Sequence, residues 1–116
     1  MEQTKLRPVL SVRIFRDEKC FGPGVAALLQ NVQEHHSLRA AAAAMGMAYS
    51  KAWTILKASE TQLGFKLLDS TTGGKHGGGA NLTPEADALL RAYSTYCSRL
   101  KTLARDLFEE EFQAFL

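Results

Sequence analysis

Several things are scarce in this 116-residue sequence, and each scarcity excludes a class of function. There are two cysteines, Cys20 and Cys97, far apart and without a second Cys or a His at ligand spacing, so a zinc module is not expected and both read as reduced thiols. No apolar run approaches the roughly 20 residues that span a bilayer, and no basic-then-apolar segment opens the chain. The expectation is a cytoplasmic protein without membrane association. No nucleophile and base, paired carboxylates or ligand cluster occurs at local spacing, so no catalytic residue, metal or cofactor is assigned and an enzyme is not expected. Charge of one sign is also lacking: 14 Lys and Arg against 12 Asp and Glu leave +2, too little to argue nucleic acid by itself. The length suits one domain, residues 1–116, and 46% hydrophobic content can fill one core.

What is present concentrates between Ser37 and Thr83. The run Leu38-Arg39-Ala40-Ala41-Ala42-Ala43-Ala44 has high helix propensity, and Ser37 offers an oxygen to the orphan amides of its first turn. Met45-Gly46-Met47 breaks the helix, with Gly46 supplying a left-handed residue, and a second helix resumes near Tyr49 or Ser50. Helices joined this tightly cross closely, which the small Ala42 and Ala43 allow. In the second helix, Ala52, Trp53, Leu56 and Leu63 fall on one stripe expected to be buried. Ser50, Lys51, Thr54, Lys57 and Ala58 occupy the opposite face, which has no carboxylate before Glu60. Such a face can enter a phosphate-lined groove, although the same residues also suit any solvated helix.

A glycine-basic loop follows, Thr72-Gly73-Gly74-Lys75-His76-Gly77-Gly78-Gly79. Phe65–Leu68 reads as a strand leading in and 81–83 as its return, so 65–83 has the form of a wing. Its glycines let backbone amides approach phosphates, and Lys75 and a protonated His76 add charge; a purely connecting loop is the alternative. A nucleotide-binding P-loop is excluded, because Lys75 is followed by His76 rather than Ser or Thr and then by more glycine. Charge is uneven as well: Arg39, Lys51, Lys57, Lys66 and Lys75 face only Glu60 and Asp69 in this region, while Glu109, Glu110 and Glu111 collect near the C-terminus.

The flanks supply support. Residues 8–16 alternate as a half-buried strand that would pair with the wing or pack at its edge. Gly22-Pro23-Gly24 launches a helix with a core stripe of Val25, Leu28, Leu29 and Val32, closed by His35 and His36, whose imidazoles are expected to meet the last carbonyls. Thr83 caps a long final helix over 84–111, with Pro84 at its first position and Glu85 favoured by the dipole. Its apolar stripe of Leu89, Leu90, Tyr93, Tyr96, Cys97, Leu100, Leu103, Ala104, Leu107 and Phe108 is wider than one small domain needs. Leu89, Tyr93, Tyr96, Leu100, Leu103 and Leu107 are therefore assigned to dimerisation. Phe112, Phe115 and Leu116 form an apolar tail that either docks on a partner or frays.

Residues 46–53, Gly-Met-Ala-Tyr-Ser-Lys-Ala-Trp, and 72–83, Thr-Gly-Gly-Lys-His-Gly-Gly-Gly-Ala-Asn-Leu-Thr, resemble the N-terminal DNA-binding domain of the ModE family of molybdate-responsive transcriptional regulators. The plan is also similar to the winged helix of LysR-type regulators, and the likeness extends loosely over nearly the whole chain. It implies DNA binding and dimerisation. Molybdate sensors of the family carry ligand-binding domains after the last helix; this chain ends at Leu116, so those domains are expected to be absent and no residue here is assigned to molybdate.

The expected fold is mainly α with a small β component, a winged helix-turn-helix with the turn at 37–63 and a long C-terminal dimerisation helix. The expected function is that of a sequence-specific homodimeric regulator reading an inverted repeat in double-stranded DNA. Tyr49, Ser50, Lys51, Thr54 and Lys57 on the recognition helix are its contacts, joined by Arg39, Thr72, Gly74, Lys75, His76 and Gly77 on the flank and wing. The competing class is a protein-interaction module that dimerises with a separate sensor protein and does not read DNA. Replacing Lys75 by Ala is expected to weaken binding equally for all sequences and to lower the slope of log affinity against log salt by roughly one, measured by DNA titration across salt.

Overall fold

In the computed structural model, which describes residues 4–71 and 79–116, the fold is organised around the apolar face of its first helix. That helix, α1 (Pro23–His35), starts at Gly22-Pro23 as expected and buries Val25, Leu28, Leu29 and Val32. α2 (Leu38–Ala44), which buries Ala41 and Ala42, packs closely on it, and α3 (Tyr49–Leu63), which buries Ala52, Leu56 and Ser59, packs against α2, against residues 19–21 and, less extensively, against α1. Phe21, Leu67, Ala80, Ala86, Leu90 and Tyr93 close the core. Two antiparallel ribbons complete a mainly α fold: β1 (Ile14–Phe15) with β2 (Lys19–Phe21), and β3 (Leu68–Thr71) with β4 (Gly79–Leu82). A long helix, α4 (Pro84–Glu111), ends in a short 3-10 turn, Gln113–Phe115.

The helix-turn-helix follows its sequence signals. Ser37 Oγ accepts from Ala40 N–H at 3.1 Å, and the turn is tied back to α2 by Gly46 N–H to Ala43 O (3.0 Å) and Met47 N–H to Ala42 O (2.9 Å). Gly46 has φ +65°, a conformation that a side chain would strain. Ala41 rather than Ala43 shares the close approach with Ala42, since Ala43 faces outward. Trp53 departs from its expected burial: it is 49% exposed, while the buried positions of α3 are Ala52, Leu56 and Ser59, two of them small. A hydropathy pattern assigns the large ring inward, whereas a closely packed helix face admits small side chains.

The wing strands begin later than their apolar residues suggest. Gly64, at φ +85°, stops α3, and Phe65 to Leu67 cross back over the core before pairing starts at Leu68. Leu67 is fully buried; its N–H donates to Glu60 Oε2 at 2.8 Å and its carbonyl accepts from Thr83 N–H at 3.0 Å. Thr83 also donates from Oγ1 to Lys66 O (2.7 Å) while that oxygen accepts from Ala86 N–H (3.0 Å), so one side chain joins the wing entry to the N-cap of α4. The β3–β4 register pairs Leu68 with Leu82 and Ser70 with Ala80.

Among the described residues the N-terminal segment does not pair with the wing. Only Ile14 and Phe15 form a strand, held by β2 across a bulge, and their turn is pinned by Gln62 Oε1, which accepts from Asp17 and Glu18 N–H at 3.2 and 3.1 Å. Residues 5–12 instead line clefts along α4, with Val12 and Ile14 half-buried and Val9 exposed. His36 is also placed differently. It ends α1 in the left-handed region, and its ring Nδ1 lies 3.0 Å from Asn81 Oδ1 while its carbonyl accepts from Ala80 N–H at 2.9 Å. It therefore joins α1 to β4 rather than capping α1 with its imidazole.

Tyr93 anchors the proximal half of α4. Its ring meets Phe21 edge-on at 4.9 Å, its hydroxyl donates to Val12 O at 2.7 Å, and the residue is 8% exposed, so it is turned into its own domain and away from the outward stripe. Burial first, and then the neighbouring Cys97 thiol, push the phenol above its usual 10.0. A raised folded-state value stabilises the fold fully below pH 10, and that contribution is lost as pH rises through the raised value. Tyr93→Phe is expected to cost about 1–2 kcal/mol at neutral pH by leaving Val12 O without its donor. Urea unfolding between pH 7 and 11 should show the gap to the parent protein narrowing at the alkaline end.

Candidate nucleic-acid interface

The outer face of α3 is presented rather than buried. Tyr49, Ser50, Lys51, Thr54 and Lys57 are all exposed, as is Arg39 on α2. The tight turn brings Arg39 to Tyr49, the guanidinium carbon 4.3 Å from the ring centroid, and the helical repeat sets Lys57 Nζ 5.5 Å from the Trp53 centroid. Two cations are thus held over two aromatic rings at the N-terminal end and middle of one face. Lys57 also pairs with Glu60 Oε1 at 3.2 Å, and because Glu60 Oε2 holds the Leu67 N–H, that carboxylate is engaged on both oxygens.

Between this face and the base of the wing lies a cavity of about 400 Å³, lined by Arg39, Tyr49, Trp53 and Lys57 on one side and Leu68, Ser70, Gly79 and Ala80 on the other. Trp53, assigned to the core from sequence, is the residue of this cleft that hydropathy reasoning missed. Its signal was the presence of Lys57 four residues on, which places a cation beside an aromatic on one helix flank. Thr54 donates its hydroxyl proton to Ser50 O at 2.9 Å, so the side chain offers a partner its methyl group and an acceptor oxygen, not a free donor. Thr72, Gly74, Lys75, His76 and Gly77 lie outside the described residues.

A helix, a tight turn, an exposed cationic helix and an antiparallel ribbon define a winged helix-turn-helix, the class of a DNA-binding domain. Residues 26–87, just over half of the chain, match the family described as bacterial regulatory helix-turn-helix protein, lysR family. The chain belongs to that family, one of DNA-binding transcription regulators. It is 37% identical over 67 residues to the molybdenum transport protein ModE of Herbaspirillum seropedicae, a match covering 58% of this chain and 25% of that protein. With the transcriptional regulator ModE of Yersinia pestis it shares 34% over 84 residues, covering 72% of this chain and 30% of the relative. Against the molybdenum-pterin-binding protein MopB of Rhodobacter capsulatus the figures are 39% over 67 residues, 58% and 25%. The matched region thus spans a quarter to three-tenths of these relatives' lengths, and the helix-turn-helix is of the ModE kind.

If the outer face of α3 reads base edges, replacing Thr54 by Ala is expected to change discrimination between a preferred site and random DNA by about 1 kcal/mol, the low end of what a base contact supplies. Competition binding checks this; equal losses on both duplexes would remove Thr54 from the base-reading set, and Thr54→Val separates the methyl contribution from that of the acceptor.

Proposed function

We propose that the chain is a sequence-specific DNA-binding transcription regulator that acts as a homodimer on an inverted repeat. The observation that carries the reading is the exposed hydroxylated and cationic face of α3, set beside the base of a wing. In this reading Ser50, Lys51 and Thr54 meet base edges or phosphates in the major groove, and Arg39, Tyr49 and Lys57 hold the flanking backbone. The wing, through Thr72, Gly74, Lys75, His76 and Gly77, takes phosphates or the minor groove. No chemistry is required of any residue.

The dimer rests on α4. At 28 residues it is about 42 Å long, and beyond Tyr93 none of its side chains is fully buried. Tyr96, Leu103 and Leu107 are exposed at 57, 63 and 58%, and with half-buried Leu100 they follow the alternating four-three spacing of a coiled-coil seam. Leu89 is half-buried at the proximal end, and Tyr93 belongs to the domain core, so the seam begins at Tyr96. Two-fold pairing would set two recognition helices about one DNA turn, roughly 34 Å, apart.

Leu103→Glu is expected to convert a dimer to a monomer in analytical ultracentrifugation without loss of helicity, since Leu103 makes no core contact within its own chain. A titration with random-pool duplex DNA at several salt concentrations, followed by sequencing of the retained fraction, tests the function. An enriched inverted repeat with a steep salt slope is the expected result. Absence of binding at low salt would overturn it in favour of an interaction module that pairs with a sensor-bearing chain.

A further inference from the structure

We infer that Trp53 is a DNA-contact residue, its indole packing against a deoxyribose of the backbone while the Lys57 ammonium beside it takes the adjoining phosphate. The inference rests on the DNA-binding reading above and adds to it the contact on the wing-facing flank of α3.

Three observations carry it. First, Trp53 is half exposed in the cleft between α3 and the wing base, although the domain has a well-filled core, and the cleft leaves the ring accessible from one side. Second, the ring does not stand alone. Lys57 Nζ lies 5.5 Å from its centroid, and Arg39 covers Tyr49 one helical turn earlier, so aromatic and cation alternate along the lip of the cleft. This order matches a sugar-phosphate chain, in which apolar sugar faces alternate with anions. Third, the opposing wall offers no repulsion. Among the described residues it is made by Leu68, Ser70, Gly79 and Ala80, and the one carboxylate of the lining, Glu60, is 14% exposed with both oxygens held by Lys57 and the Leu67 N–H.

The position of the ring assigns it to the backbone and not to the bases. Ser50, Lys51 and Thr54 share the outermost face of α3, the face that would lie on base edges; Trp53 turns from it toward the wing, where a strand rising out of the groove would pass. A contact there adds affinity for DNA of any sequence.

Trp53 is the sole tryptophan of the chain, so the emission of the unaltered protein reports on it alone. The experiment titrates the 116-residue chain with a short random-sequence duplex at low salt, following acrylamide quenching of the tryptophan in one sample and anisotropy of the end-labelled duplex in a parallel one. The expected result is a quenching constant that falls at least about twofold in step with the rise in anisotropy. Trp53→Ala should weaken binding roughly five- to tenfold on every duplex tested, the loss typical of a truncated aromatic anchor, with Trp53→Phe recovering most of it. Unchanged circular dichroism for both variants is expected, since the residue is not part of the core. If anisotropy rises while quenching stays the same, DNA binding stands and Trp53 is not a contact. A loss confined to one sequence would overturn the backbone assignment, and no rise in anisotropy would remove the DNA reading and the inference with it.

Discussion

Close contact between α1 and the pair α2 and α3 is the constraint on which the rest of the structure depends. Ala41 and Ala42 of α2 and Ala52 and Ser59 of α3 are buried where these helices pack on one another, on α1 and on β2, and their small size lets the backbones approach. The larger apolar side chains of α1, Leu28, Leu29 and Val32, then fill the space that remains. A narrow buried stripe on α3 leaves more than half of that helix facing out. Trp53, not Leu56, takes the flank of the exposed surface, and Tyr49 lies beside it at the start of the helix.

A second set of interactions fixes the wing relative to α3, and it uses polar groups rather than hydrophobic ones. Glu60 holds the Leu67 amide, Thr83 holds Lys66 and Leu67, and His36 holds Ala80 and Asn81. Each bond joins an element of the helical body to one end of the β3–β4 ribbon. The ribbon base is therefore set by directional contacts, as a surface that must match the curvature of a duplex requires. Glu60 has a double role, since the same carboxylate that orients the wing also holds Lys57 and removes an unpaired negative charge from the interface.

Electrostatics inside the interface follow from this arrangement. Arg39 and Lys57 are each held over an aromatic ring, which restricts long side chains that would otherwise sample many rotamers. A net charge of +2 conceals the asymmetry: cations gather on the α2–α3 face, and acids lie at the far end of α4.

Much of this was legible in the chain itself. Ser37, Gly46 and the Ala run between them determine the helix-turn-helix, and Thr83-Pro84 determines the start of α4, because caps, left-handed residues and propensity act over a few residues. Val25, Leu28, Leu29 and Val32 determine the core face of α1 by spacing alone. The tertiary structure decided the rest. Phe65 to Leu67 became a crossing instead of a strand because Glu60 and Thr83, residues on other elements, take their backbone bonds. Tyr93 was drawn inward by Phe21 and Val12, and Trp53 was left outside, in the cleft between α3 and the base of the wing. Periodicity identifies which side of a helix is apolar, but how much of that side is covered depends on the distance to the neighbouring helix, and that distance is set by residues remote in sequence.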